Sequence, residues 1–323
     1  MSRVLTIVTA AALGCCALVT LPAKAQTWPA KPIHLVVAFT AGSATDIIAR
    51  AVGDTLARAL GQAVVIDNKP GAGGTIAAAA VAKSDPDGYT FLVHSAGHTV
   101  NPAMYANLSY DTVRDFVAVS PVANLPNVMV SPPGRYKSVQ DIVAAGKAAP
   151  GKLNYGSAGS GSATHMNAEK FRAVAGFDAV HVPFKGTPEA LSETMAGRLD
   201  FFFAPIVSAL QLVREGKVNA LAVGTAKRAA LLPDVPSIVE LGYAGSDFNF
   251  WVGVFAPAKT PRDVVERMNG EMAKALQSAD VRERFATLGA EPFAMKSDEF
   301  DAYVRSEIEL NAKIVKAAGI KAN

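Results

Sequence analysis

Cysteine is almost absent from this chain. The only two, Cys15 and Cys16, are adjacent and lie near the start, inside an uncharged run from Val4 to Pro22. Everything after them lacks a thiol, which excludes cysteine nucleophiles, cysteine-ligated metals and disulfides from the body of the chain. Charge is sparse as well. Charged residues make up 18% of the sequence and the net charge is +3, with no block of basic residues. Nucleic acid is therefore not an expected partner. No stretch beyond the first one is long and apolar enough to span a bilayer. No His-Glu-x-x-His pair occurs to hold a catalytic metal.

What is present begins with an address. Arg3, the apolar run to Pro22, and the small-x-small tripeptide Ala23-Lys24-Ala25 before Gln26 read as a signal peptide over residues 1–25, cleaved after Ala25. A membrane anchor would need about 20 predominantly apolar residues, and this run is interrupted by Thr, Gly and Pro. Lipid attachment at Cys15 fits poorly, because in Ala12-Leu13-Gly14-Cys15 the larger apolar residue would have to come earlier. The expected location is the periplasm.

The body alternates apolar strands with amphipathic helices. Ile33 to Phe39 reads as a buried strand, and Asp46 to Leu60 as a helix with Ile48, Val52, Leu56 and Leu60 on one face. Gly61 closes it. Val64 to Asp67 and Tyr89 to Val93 are further strands, separated by an Ala-rich helix through Lys83. This order predicts a parallel sheet with right-handed crossovers. The pattern recurs in a second set: Asn154-Tyr155, Ala179 to Phe184, Leu199 to Phe203 and Leu221 to Val223, with helices near Thr164 and from Pro188 to Gly197. Phe116 to Met129 and Phe248 to Phe255 serve as the crossings. The fold class is α/β, with two lobes joined by hinge segments: residues 26–122 plus 250–323, and residues 123–249. A cleft between such lobes is a natural place to bury a small ligand.

Two strand-to-helix bends carry the chemistry. The first runs Thr40-Ala41-Gly42-Ser43-Ala44-Thr45-Asp46, the second Ser157-Ala158-Gly159-Ser160-Gly161-Ser162-Ala163-Thr164-His165. Small residues let a ligand approach the backbone, and each helix start offers unpaired N–H groups and the positive end of a dipole. A carboxylate fits there without Lys or Arg. Asp46 either caps its helix or meets a ligand. In the second bend no serine has glycine two places before and after it, so the nucleophile elbow is absent; nor does that bend have the phosphate-loop pattern. Among the strand ends, Lys185 offers an ammonium and the Phe201-Phe202-Phe203 run reads as core. His94 and His98 stand four apart but straddle Gly97, which favours polar or cleft-lining roles over metal binding. No cofactor is implied.

Taken in order, Trp28 to Ile33, Val65 to Gly74, Asp87 to Thr90, Pro150 to Ser157, His181 to Gly186 and Leu232 to Pro236 resemble the Bug-type (TctC-like) solute receptors of tripartite tricarboxylate transporters. The resemblance covers nearly the whole body of the chain. It implies a two-lobed periplasmic binding protein fold, type II-like, that closes on a small carboxylated solute without transforming it. It further implies that membrane transporter subunits are the partners. Carried onto this chain, it sets the ligand against the residues of the two bends. Ser95, Ala96 and His98 line the same cleft, with the strand-end residues Lys185 and Ala204 beside it. Two features depart from the family pattern. The first bend has fewer glycines, and Ala204-Pro205 stands where many members carry Asp-Asn. Without that carboxylate an amino-acid ligand is disfavoured, and a simple or aromatic carboxylate is favoured. Competing readings are a periplasmic sensor that signals to a membrane kinase, and a serine hydrolase using Ser160 or Ser162 with His165.

Overall fold

The computed structural model describes residues 28–317 and 319–320. The expected signal peptide and its cleavage site lie outside those residues. Two sheets organise the chain, each built from alternating strands and helices.

The first half-lobe contains β1 (Ile33–Val37), α1 (Ala44–Leu60), β2 (Val64–Asn68), α2 (Thr75–Ala82), β3 (Thr90–Ser95), α3 (Gly97–Met104) and β4 (Phe116–Leu125). The second lobe contains β5 (Asn127–Ser131), α4 (Val139–Ala148), β6 (Leu153–Ser157), α5 (Ala163–Ala175), β7 (Ala179–Pro183), α6 (Thr187–Met195), β8 (Phe201–Pro205), α7 (Ile206–Arg214) and β9 (Asn219–Val223). The chain then returns through β10 (Phe250–Pro257), α8 (Arg262–Gln277), α9 (Ala279–Leu288), β11 (Glu291–Pro292) and α10 (Ser297–Ala317).

The six-stranded sheet has the order β11-β4-β10-β3-β1-β2, and the five-stranded sheet β7-β6-β8-β5-β9. Within each, the βαβ units are parallel, as their helical connections require: β1 with β2 and β3, and β6 with β7 and β8. The strands nearest the crossings run antiparallel, β10 beside β3 and β4 and β5 beside β8 and β9. Both sheets are therefore mixed, where the sequence pattern predicted parallel pairing. The first crossing is a single residue. β4 stays in the first sheet through Leu125, and β5 opens the second at Asn127, so the chain passes between lobes at Pro126. The second crossing lies between Val223 and Phe250.

Side-chain alternation places the core. Phe201, Phe202 and Phe203 are all fully buried. Phe201 and Phe203 join Tyr155 and Phe171 on one side of the second sheet, while Phe202 packs with the large interlobe cluster. That is the two-residue period of a strand covered on both faces. Helix ends follow local chemistry too. Gly61 takes the left-handed conformation after α1 (φ +67°). Ser138 and Asp141 form a reciprocal capping box at the start of α4. No helix among the described residues is long and apolar enough to cross a membrane.

Candidate functional site

The two bends predicted from sequence meet. Ser43, Ala44 and Thr45 at the start of α1 line one small space together with Ser162, Ala163 and Thr164 at the start of α5. Thr187, which opens α6, completes the wall with Phe39, Ser95, Ala158 and Phe250. Three helix N-termini, one from the first lobe and two from the second, thus point at one place. The space is about 10 Å³, room for roughly one water molecule, because the lobes are closed on each other.

Direct bonds hold the closure. Thr187 N–H of the second lobe donates to Ser43 Oγ of the first at 3.0 Å. Thr40 Oγ1 donates to Glu189 Oε2 at 3.1 Å, and Tyr105 Oη donates to the Ser160 carbonyl at 2.8 Å. Glycines make the approach possible. A Cβ on Gly186 would collide with the Thr40 and Ser43 hydroxyls, and one on Gly73 with the Ser160 carbonyl. Ser43 is the N-cap of α1, yet its side chain caps nothing in its own helix. The first-turn amides of Ala44 and Thr45 therefore lack a side-chain cap, and both residues line the space. Ala163 and Thr164 stand in the same position at α5. This is a cradle of N–H groups at dipole ends, suited to an anion of about carboxylate size.

The hydroxyls of the second bend are mostly engaged within it. Thr164 Oγ1 accepts from Ala158 N–H at 2.9 Å. Ser162 Oγ accepts from His165 N–H at 3.3 Å, and the Ser162 and Thr164 hydroxyls lie 3.0 Å apart. One hydroxyl proton can bridge that pair, which leaves the other free to point into the space. Ser157 Oγ accepts from Gly159 N–H at 3.0 Å and lies 2.6 Å from His181 Nε2. His165 Nδ1 accepts from Gly161 N–H at 3.2 Å. Burial lowers His165 to about 4 and His181 to about 3, with Arg172 and His165 respectively adding repulsion.

Several expected ligand contacts lie elsewhere. Asp46 is buried, but its carboxylate accepts from Gly42 N–H, Arg50 Nε and Asn68 Nδ2, each at 3.0 Å. It anchors its own bend. Burial acts to raise its pKa, but the bonds from Arg50, Gly42 and Asn68 outweigh that and hold the group below the usual carboxylate value. His98 does not line the space. It is fully buried in the first lobe, 4.6 Å from the Phe255 ring centroid and 5.0 Å from that of Phe116. It follows Gly97 on α3, so the helix turns its ring inward while Gly97 abuts the second bend. Ala96 is buried beside it. Ala204 is buried within β8, paired with Val128, and does not reach the space. Lys185 is exposed and lines a groove of about 530 Å³ at the cleft mouth with Ser160, Gly159, Tyr105 and Glu189. Ala41 and Gly42 are exposed at the rim. Thr187 and Phe250 stand outside the two bends and carried no expected binding role. The available signal for Thr187 was a third strand-to-helix joint, Phe184-Lys185-Gly186. Among the described residues no cluster of His, Cys, Asp and Glu could hold a metal ion.

The model of the tripartite tricarboxylate transporter family receptor matches residues 48–320. The chain belongs to this family. The receptor is 30% identical to the periplasmic binding protein BugD over 92% of this chain and all of that one, with a TM-score of 0.88. It is 34% identical to an R. palustris protein solved with adipate, covering 92% of this chain and all of the other at TM-score 0.87. MatC from Rhodopseudomonas palustris, solved with bound malate, is 32% identical over 89% of this chain and all of its own, at TM-score 0.85. The receptor is thus a solute-binding protein of the periplasmic Bug/TctC class, whose members are binding proteins rather than enzymes, and the two-lobed α/β fold is the fold of that class.

Proposed function

We propose that the receptor captures a small carboxylate between its lobes in the periplasm and delivers it to the membrane subunits of a tripartite tricarboxylate-type transporter. The observation that carries this reading is the meeting of the α1 and α5 first turns, from opposite lobes, around one space lined by no charged side chain. Such a space recognises an anion by oriented dipoles, and closing on it removes water that would weaken those bonds. Ser43, Ala44, Thr45, Ser95, Ala158, Ser162 and Thr164 form the proposed inner contacts, with Thr40, Ser160 and Lys185 nearer the mouth. A second acid group would extend toward Lys185, which favours a di- or tricarboxylate. The relatives solved with adipate and malate support that class. An aromatic carboxylate would lay its ring in the same groove against Phe184.

The geometry gives little support to hydrolysis. His165 directs its Nδ1 to a backbone amide and not to Ser160 or Ser162. His181, beside Ser157, has a pKa of about 3, too low for an effective general base near neutrality. A thermal-shift screen tests the reading. Adipate and malate should raise the melting temperature in proportion to the logarithm of their concentration above Kd, and leucine should not. If no mono-, di-, tri- or aromatic carboxylate stabilises the protein, the capture mechanism is wrong.

A further inference from the structure

Behind the second bend lies a stack of rings that the binding role does not itself require. Tyr155, on β6, lies 5.0 Å from His181 on β7, ring centroid to centroid, and the planes are 18° apart. His181 stacks in turn on His165 of α5 at 3.9 Å and 20°. Tyr155 donates to Glu169, which Arg172 pairs at 3.0 Å. Three elements of the second lobe therefore converge on two histidines, and each histidine reaches the bend through one ring nitrogen. His181 Nε2 meets Ser157 Oγ, and that oxygen accepts the Gly159 N–H. His165 Nδ1 accepts the Gly161 N–H directly.

Gly159 and Gly161 are the two residues of the bend with left-handed backbones, φ +117° and +78°. Their conformations set where the chain between them runs. A left-handed pair without anchored amides has many alternatives, because glycine crosses between backbone regions at little cost. Fixing both N–H groups selects one path. That path puts the Ser160 carbonyl under Tyr105 Oη and brings the α5 first turn to the cavity.

We propose that His165 and His181 are positioning residues for solute capture, which as uncharged rings hold the Gly159 and Gly161 amides and so preform the second-lobe half of the anion cradle. The inference rests on the carboxylate-binding reading and names what shapes that site. Neither ring touches the space itself. His165 must be unprotonated at Nδ1 to accept from Gly161. Two rings stacked at 3.9 Å also resist charging together, since like charges repel strongly in a desolvated site. The other charged or titratable groups facing them are Tyr155, Glu169 and Arg172.

Glutamine and phenylalanine separate the hydrogen bond from the stack. Gln at 181 can return a polar atom near the Nε2 position, whereas Phe keeps a ring and removes the polar atom. His181→Phe should weaken adipate binding about fivefold, the usual worth of one hydrogen bond, with the melting profile still cooperative. His181→Gln should stay within about threefold of the parent, because it restores that bond. Ser157→Ala, which leaves the stack untouched, should weaken binding about as much as His181→Phe, and the double variant should be no weaker than either alone. Amide hydrogen exchange at Gly159 reads the bend without any ligand, and His181→Phe should accelerate it while His181→Gln does not. Unchanged affinity and unchanged Gly159 exchange in folded His181→Phe, or in Ser157→Ala should the former not fold, would overturn the assignment. Equal losses in His181→Phe and His181→Gln would overturn it too, by showing that packing alone matters. If the parent protein binds no carboxylate but Gly159 exchange still responds as stated, the binding reading fails and the positioning role stands.

Discussion

The bend at Thr40–Ser43 is anchored by a charged pair, and the bend at Ser157–Ser162 by neutral rings. In the first lobe the Asp46 carboxylate gathers Gly42, Asn68 and the Arg50 guanidinium. In the second lobe His165 and Ser157, backed by His181, take the corresponding amides. Both devices fix a glycine-containing strand-to-helix joint. They differ in how they respond to acid. Asp46 has a lowered pKa in the folded state, so its contribution is complete above the ordinary carboxylate value near 3.8 and fades only below it. The buried histidines have folded pKa values below 6.5, to about 4 for His94 and His165 and about 3 for His181. The unfolded chain binds protons that the folded chain refuses, so stability falls as pH drops below about 6.5 and continues to fall to about 4. Of the two anchors only the histidine-backed one is open to this loss, while His94 on β3 adds a like loss from the core of the first lobe.

The largest effect expected is loss of binding. Ser43→Trp or Ser160→Trp should abolish adipate or malate binding in titration calorimetry while leaving a cooperative melting transition. The two residues belong to opposite lobes, so unchanged affinity in either variant would remove that lobe's bend from the site. Next in size is the acid response. Melting should shift downward from pH 7 to pH 4.5, with each fully excluded histidine removing about 1.4 kcal/mol per pH unit. A flat profile over that range would mean that the buried rings of both lobes accept protons in the folded state. Asp46→Ala should cost about 1–2 kcal/mol of stability, since it removes three bonds from a buried carboxylate to the part-buried Gly42 and Asn68 donors and a half-exposed guanidinium. Denaturant titration measures it, and affinity should change less than stability does. The smallest effect belongs to the mouth. Lys185→Ala should weaken adipate binding by no more than about threefold, as for an exposed ion pair, and leave benzoate unaffected. An equal loss for both acids would place the ammonium in the inner contact.

Much of this arrangement was legible before the tertiary structure. Helical spacing gave α1 within two residues of its start, because Ile48, Val52, Leu56 and Leu60 form a single buried stripe. The Phe201–Phe203 run was read as core, and all three rings are fully buried. The glycine–serine bends stood out as strand-to-helix joints because their small residues break the apolar pattern on either side. Other features were hidden. The residues alone favour a structural role for Asp46 over ligand contact, but its partners Gly42, Arg50 and Asn68 come from a bend, a helix turn and a neighbouring strand that the linear pattern does not join. The family resemblance sets His98 in the cleft with Ser95, yet one helical step turns it into the aromatic core. His181 gave no local signal, since its partners Ser157, Tyr155 and His165 come from other elements.

The sequence by itself determined the elements, the two lobes and the two bends, because these follow from hydrophobic period, β-branching and glycine placement within a few residues along the chain. Only the tertiary structure decided which polar atoms remain available to a solute. Hydrogen bonds are short-ranged and saturable, so whether a serine, an aspartate or an amide is free depends on neighbours that the chain brings back from 24 residues away, as His181 to Ser157, or from 144, as Thr187 to Ser43.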